Sequence, residues 1–360
     1  MVKKILKIAL SKIYCPIKSN MTIEEARAIL NNQSPKPNGT CYTVNEIDIK
    51  YDLQIIIPVY NSEKYIKTCL ESVFSQNSQY KVLVTVVNDG STDSTGEILE
   101  DMILKNKNEK DEMCVKLINQ KNKGYSGARN VALQSIQGRY IMFIDSDDVL
   151  PENTITKMLD AAQKNEADIL QGNWYTFKSE REVEVNNLMN TQKYMSGYPW
   201  GKLYKYSVLE HYQFPEGYWF EDTPISFILA AMPLKIVTIS DIVYGYRINP
   251  QGITATASLS KKSIDSYWVT ELCLEEFSKF GLIYDQRAYE YLLKQTLMNA
   301  GRINKQHKKI REAEFILTSQ LIRKYFSDKC YTKNEKMRDV EKALKNKRFV
   351  QFELLRLNKR

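Results

Sequence analysis

A chain of 360 residues with 43% hydrophobic content can bury a substantial core, and no stretch approaches the roughly 18 to 20 apolar residues that span a bilayer. Six scattered cysteines (Cys15, Cys41, Cys69, Cys114, Cys273, Cys330) without a CxxC spacing, with His211 and His307 the only histidines, argue against zinc and for a reducing cytoplasm. The net charge of +8 is uneven: residues 301 to 360 hold 18 Lys/Arg against 7 Asp/Glu, the remainder 33 against 36.

Near the N-terminus, Val2, Ile5, Leu6, Ala9, Leu10 and Ile13 recur at helical spacing, with Lys3, Lys4, Lys7 and Lys12 mostly on the other side. That pattern predicts either an interfacial helix or a short helix packed on the domain, and Lys7 interrupts ILKIAL, which argues against a cleavable secretion signal. A second helix is expected over 22–30, with Glu24 and Glu25 in its first turn, and NNQSPKPNGT (31–40) reads as linker. The run 53–59 is continuously apolar, as a parallel strand buried on both faces requires. Pro58 closes it, and Tyr60 and Asn61 stand at its carboxyl end. A helix over 63–76 follows, with Ile66, Leu70, Val73 and Phe74 inward. A second strand, 82–87, runs into NDGSTDSTGE, where Asn88, Asp89 and Gly90 make a turn and Ser94 or Thr95 is the expected cap of a helix carrying Ile98, Leu99 and Met102. A third strand over 114–118 precedes NQKNKGYSGARNVALQSIQG, with Gly124 in the loop, Ser126 as the expected cap and Arg129 in the first helical turns.

The fourth strand is YIMFIDSDD (140–148), in which apolar and aromatic residues run into Asp145, Ser146, Asp147 and Asp148. Like charges this close raise one another's pKa, so a fold keeps them together when a cation or hydrogen-bond donors compensate. Hard ions such as Mg²⁺ or Mn²⁺ suit carboxylates and take further ligands from phosphates, which makes a nucleotide diphosphate the natural guest. Taken alone, DSDD reads equally as a cap for the helix expected after Pro151. Four polar clusters at successive strand ends favour the ligand reading, because right-handed βαβ crossovers bring all of them to one sheet edge. The fold expected is therefore α/β, a doubly wound, mostly parallel sheet with helices on both faces.

The segments IIIPVYNSEKYIKTCLESVFSQ, VVNDGSTDSTGEI, NKGYSGARNVAL and GRYIMFIDSDD together resemble glycosyltransferase family 2, over roughly residues 53–246. The resemblance implies a GT-A type domain binding a UDP-sugar. Asp89 would bond the uracil, Pro58 and Tyr60 would line the base pocket, and Asn61, Gly124 and Ser146 would belong to the donor site. Asp145 would lie near ribose and metal, with Asp147 the principal ligand of Mn²⁺ or Mg²⁺. Arg129 looks like a donor-loop residue, a helix-surface salt bridge being the comparable alternative.

Beyond an expected helix over 153–164, residues 168–177 read as a fifth strand and 178–195 as a polar insertion, with acceptor contacts expected from there onward. YPWGKLY (198–204) resembles a tryptophan and lysine segment of the family, in which core packing is the favoured role for Trp200. In WFEDTPI (219–225) aromatic neighbours surround Glu221 and Asp222, and a helix is expected from Thr223-Pro224 through Leu229. By resemblance to the family's acidic pair, Asp222 is the expected general base, with Glu221 second; helix capping is the alternative for Asp222. Short strands are expected over 236–240 and 242–246. Arg247, in YGYRINPQGIT, is expected near the diphosphate or a mobile loop, although Pro250-Gln251-Gly252 departs from the family pattern. From Ser260 the chain reads as helical.

The expected division is 1–50 for N-terminal helices and linker, 51–255 for the catalytic domain (donor half 51–150, acceptor half 151–255) and 256–360 for a basic helical region. The function expected is a metal-dependent inverting glycosyl transfer to a glycan or lipid-linked acceptor of the surface-polysaccharide type. The basic tail suits peripheral contact with an anionic membrane at the cytoplasmic face, or simply solvated helix faces. A catalytically silent sugar-nucleotide-binding subunit is the main rival. A nucleotidyltransferase is disfavoured because its glycine-rich N-terminal loop is missing. Nucleic-acid binding is not expected, because no aromatic stacking platform interleaves the basic tail.

Overall fold

The computed structural model describes residues 17–106, 112–179, 182–186, 195–249 and 257–357. The amphipathic N-terminal stretch and Pro250-Gln251-Gly252 lie outside them. Two compact units are present: a sheet unit, Gly39–Gly217 with Pro224–Pro250, and a helical unit, Met1–Asn38 with Tyr218–Thr223 and Gln251–Arg360.

The sheet unit begins with β1 (Glu46–Val59), α2 (Ile66–Phe74), β2 (Val82–Asn88), α3 (Thr95–Asn106), β3 (Met113–Asn119), α4 (Gly124–Leu133) and β4 (Ser135–Phe143), after the helix α1 (Ile23–Gln33) of the other unit. It continues through α5 (Thr154–Lys164), β5 (Ile169–Ser179), β6 (Glu182–Asn186), β7 (Lys202–Lys205), α6 (Tyr206–Leu209), α7 (Thr223–Phe227) and β8 (Ile236–Arg247). The sheet order is β3-β2-β1-β4-β7-β5-β6, with β8 also paired to β5. All pairs among β1 to β4 are parallel, as is β5 with β8, whereas β7 lies antiparallel between β4 and β5. This is the α/β sheet expected from the apolar runs.

Alternation decides which helix covers which face. Ile55, Ile57, Val84, Val86, Met142 and Ile144 share a core with Leu70 and Val73 of α2, Leu99 of α3 and Ile155 and Leu159 of α5. On the opposite face Gln54 donates to the Ala132 carbonyl of α4 and accepts the Gln137 N–H, so its buried amide is satisfied. Each aliphatic side chain buried in this core contributes about 1.5–3 kcal/mol.

Several boundaries differ from expectation for identifiable reasons. β1 starts at Glu46, because Ile47, Ile49 and Tyr51 alternate with Glu46, Asp48 and Lys50 in a half-exposed extension that pairs with β4. At its other end β1 stops at Val59, as expected, with Pro58 in register with Val87. Thr95 does not cap α3: its hydroxyl accepts the Ser62 N–H at 2.8 Å, while Asp93 Oδ1 takes the Thr95 N–H. Ser126 does not cap α4 either; it lies inside the helix and donates to the Pro215 carbonyl at 2.8 Å. The expected 178–195 insertion contains a strand, β6, hairpinned on β5. β8 is one strand where two were expected, because Asn173 Nδ2 bonds the Ser240 carbonyl at 2.7 Å across a register shift. The helix after Thr223 ends at Phe227, and a 3₁₀ turn over Leu229–Ala231 follows.

The helical unit contains α1, α8 (Asp265–Glu276), α9 (Gln286–Arg302), α10 (Lys308–Tyr325), α11 (Arg338–Lys345) and α12 (Phe349–Leu357). α8 is buried around its whole circumference, through Tyr267, Trp268, Val269, Leu272 and Leu274, and is the centre of the unit. Burial pushes the Glu271 carboxyl up, but Arg27 at 2.6 Å and Lys36 at 2.8 Å outweigh it and hold the group below its ordinary range. Thr22 caps α1 by accepting the Glu25 N–H.

Candidate active site

The carboxyl ends of β1, β2, β3 and β4 carry the chemistry-bearing residues, because a parallel sheet aligns these ends on one edge. Pro58 is buried, Tyr60 is exposed, and Asn61 takes a left-handed conformation, φ +47°, fastened by its N–H to Ser91 Oγ and by its Oδ1 to the Thr92 N–H. Asp89 follows β2 and is buried. Its Oδ1 accepts both Gln120 Nε2 at 2.7 Å and the Lys123 N–H at 2.8 Å, while Oδ2 carries no hydrogen bond among the described residues. One carboxylate oxygen thus pins the loop after β3 and the other is left for a donor. That loop ends at Gly124, where φ is +75° and an added Cβ would meet open space, so the glycine is required by the backbone alone.

Beyond β4, Asp145, Ser146, Asp147 and Asp148 form the acidic end. Arg129 is buried rather than on the surface of α4, and its Nη2 donates to Asp145 Oδ1 at 2.8 Å. Its guanidinium lies 5.0 Å from the Phe214 ring centroid and 5.7 Å from that of Tyr125. The salt-bridge alternative is therefore realised inside the protein, against a candidate donor residue. Ser146 Oγ is 2.7 Å from Ser62 Oγ, which ties this loop to the one after β1.

Asp147 is only partly compensated. Burial first, then the neighbouring Asp145, push its carboxyl up to about 6, and Asn249 and Arg247 offset this only in part. Arg247 spends its Nε on the Asp147 carbonyl at 2.7 Å and stacks between the Phe177 ring, at 4.4 Å, and the Tyr65 ring, at 5.1 Å. Asp148 is fully buried and structural: Oδ2 accepts the Tyr244 hydroxyl and Oδ1 the Arg247 N–H, both at 2.7 Å. Burial, together with Asp145 and Asp147, pushes its carboxyl up.

Partly compensated carboxylate of this kind fits a hard divalent cation. No group of three or more His, Cys, Asp or Glu among the described residues is placed to hold a metal unaided. A cation at Asp147 and Asp145 would therefore take its remaining ligands from water and from a bound diphosphate, as Mg²⁺ and Mn²⁺ do.

Tyr244 is a site residue that sequence reasoning missed. Its hydroxyl accepts the Asp145 N–H at 3.1 Å while donating to Asp148, and its ring stacks on Trp200 at 4.5 Å, which in turn stacks on the exposed Tyr198 at 4.5 Å. Trp200 is buried in this stack, in keeping with a core role. The signal was the Tyr244-Gly245-Tyr246 alternation in VYGYR. Glu221 and Asp222 belong to Tyr218–Thr223, which is part of the helical unit, whereas the other candidate residues belong to the sheet unit.

Residues 54–216 match the family described as glycosyl transferase family 2. The chain carries a glycosyltransferase family 2 domain. Glycosyltransferase GlyA of Streptococcus pneumoniae serotype 4 is 31% identical over 219 residues, covering 54% of this chain and 30% of GlyA. Glycosyltransferase GlyG of the same organism is 28% identical over 250 residues, covering 63% of this chain and 78% of GlyG. The chain thus spans less than a third of one relative and more than three quarters of the other. Residues 1–349 of S. aureus TarS, solved in complex with UDP-GlcNAc, share the fold with a TM-score of 0.66 at 22% identity, over 86% of this chain and 91% of that one. The fold is GT-A. The glycosyltransferase family 2 match contains Pro58, Tyr60, Asn61, Asp89, Gly124, Arg129 and Asp145 to Asp147, and ends before Glu221, Asp222 and Arg247.

Proposed function

We propose that the protein is an inverting, metal-dependent glycosyltransferase that moves a sugar from a UDP-sugar to a hydroxyl of a glycan or lipid-linked acceptor. The observation that carries this reading is the strand-end cluster: a buried Asp89 with one oxygen unbonded, a buried Arg129–Asp145 pair, and an under-compensated Asp147. The likeness to a TarS structure holding UDP-GlcNAc supports a UDP donor.

In this reading Asp89 Oδ2 accepts the uracil imide N–H, Pro58 and Tyr60 line the base, and Asn61 and Gly124 shape the loops around the nucleotide. Arg129 holds Asp145 in place, while Asp147, with Asp145, holds Mn²⁺ or Mg²⁺. The cation, when bound, stabilises the negative charge developing on the departing diphosphate. Arg247, clamped by Phe177 and Tyr65, keeps the Asp147 backbone in place. Asp222, with Glu221 beside it, takes the acceptor hydroxyl's proton as the acceptor oxygen bonds to the anomeric carbon and the bond to the diphosphate breaks on the opposite face.

The excess of 18 Lys/Arg over 7 Asp/Glu in residues 301 to 360 supports peripheral contact with anionic lipid on the cytoplasmic side. No helix among the described residues is long and apolar enough to cross a membrane. UDP release is to be measured against a panel of UDP-sugars with and without Mn²⁺. Turnover that needs the cation and is lost in Asp222→Asn, while UDP binding persists, is the expected result. UDP binding without turnover on any donor would mark a silent binding subunit, and a preference for GDP or CDP compounds would overturn the UDP assignment.

A further inference from the structure

The segment that carries the acidic pair is fastened to the helical unit at three consecutive residues. Tyr218 donates its hydroxyl to the Pro37 carbonyl at 2.7 Å, and the Trp219 N–H donates to Asp265 Oδ2 at 3.1 Å, at the start of α8. Phe220, immediately before Glu221 and Asp222, stands at φ +62°. A bulky side chain avoids that left-handed region, so the neighbours must hold it there. The third fastening does this: the Arg302 guanidinium, at the last residue of α9, lies 3.8 Å from the Phe220 ring centroid.

Arg302 is not explained as an ordinary structural arginine. Its Nη1 is buried and has no hydrogen-bond partner among the described residues. A buried guanidinium end that bonds nothing needs negative charge nearby to offset its lost hydration. The titratable groups whose charges reach it are Asp222 first, then Glu221 and the Tyr291 phenol, and these oppose the burial that pushes its pKa down.

We propose that Arg302 is a positioning residue for the acidic pair: its stack on Phe220 fixes the backbone that aims Glu221 and Asp222, and its cation lies close enough for their charges to act on it. The inference rests on reading Asp222 as the base. The strained turn before the pair is held from α9 and α8.

The test uses the full chain and whichever of UDP-glucose, UDP-galactose and UDP-GlcNAc is turned over, with UDP release followed from pH 5 to 9. Arg302→Met is expected to lower kcat tenfold or more with donor KM within about twofold. It should also move the acid limb of the kcat–pH profile upward by roughly one unit, as loss of a nearby cation requires. Arg302→Lys, which keeps charge without the planar stack, should restore the acid limb and recover kcat only in part. A wild-type kcat and acid limb in Arg302→Met overturns the proposal. Should that variant fail to fold, Arg302→Lys decides: lowered kcat with an unshifted limb supports the proposal, and unchanged kcat overturns it. Asp222→Asn, run in parallel, separates the two readings, because an inactive Asp222→Asn beside a wild-type Arg302→Met sinks only the role of Arg302. An active Asp222→Asn removes both.

Discussion

Asp147→Asn is expected to make the metal-free protein more stable while abolishing its response to divalent cations. The Asp147 carboxyl lies at about 6 against an ordinary 3.8. Between those values the folded protein holds a proton that the unfolded chain has lost, so stability falls as pH rises from about 4 and levels off above about 6. The difference is worth about 3 kcal/mol at neutral pH, an upper bound because the side chain is partly exposed. For a sheet unit of this size, removing that penalty corresponds to a rise in Tm of roughly 2–4 °C per kcal/mol. The amide introduced by Asp147→Asn cannot ionise, so the variant's melting-temperature advantage over the wild type should widen as pH rises through this window and then level off. A cation bound by the wild-type carboxylate relieves the same penalty, so millimolar Mn²⁺ should raise the wild-type Tm more at pH 7.5 than at pH 5 and leave the variant unmoved. Differential scanning fluorimetry in chelator and in Mn²⁺, at both pH values, reads all four conditions. A variant less stable than wild type in chelator at pH 7.5, or equally responsive to Mn²⁺, would refute the assignment of Asp147 as the under-compensated ligand.

Asp89→Asn should keep the acceptor that holds Gln120 and Lys123 but place an NH₂ where the imide N–H of uracil needs an oxygen. Calorimetry should then show UDP affinity down roughly 10- to 100-fold, the equivalent of about 1.5–3 kcal/mol for a hydrogen bond to a charged group, with an unchanged Tm. Tyr244→Phe keeps the ring stack on Trp200 but strips one partner from the buried Asp148 and another from the Asp145 N–H. A loss of about 1–3 kcal/mol in urea unfolding is expected, together with lower turnover at unchanged fold. Glu314, inside α10, is pushed by burial to about 8, with Glu353 adding to the rise and Thr318 opposing it. The folded state therefore keeps its proton above the unfolded value of 4.5, and stability declines between about pH 4.5 and 8. Glu314→Gln should widen its Tm advantage over wild type as pH rises from 5 to 8, and a constant gap across that range would refute the buried-acid reading.

How far the fold could be read from sequence depended on how many faces an element buries. The centre of β1, 53–59, is covered on both faces and writes itself as an unbroken apolar run, as do β2 and the end of β4. The first half of β1 is exposed on one face and pairs only with β4, so its signal was the weaker alternation of Ile47, Ile49 and Tyr51 with charged residues. Ser126 resembles a cap because a serine near a helix start looks the same whether its hydroxyl serves its own helix or a carbonyl 89 residues away. The β8 pairing failed for a related reason, since Ser240-Asp241 reads as a break until Asn173 of β5 is seen to bridge it.

The acids at the strand ends were legible because a run of buried residues that stops abruptly in carboxylates needs a reason, and four such stops in parallel strands need a common one. What sequence left open was which acid does what, since that depends on partners distant along the chain. Asp145 is neutralised by Arg129 from α4, and Asp148 is consumed by Tyr244 and the Arg247 backbone about 100 residues later. Asp147 is what remains. The division of labour within DSDD thus comes from two elements, α4 before it and β8 after it, which claim Asp145 and Asp148, and it leaves Asp147 with a charge only partly offset, which a diphosphate-bound cation can share.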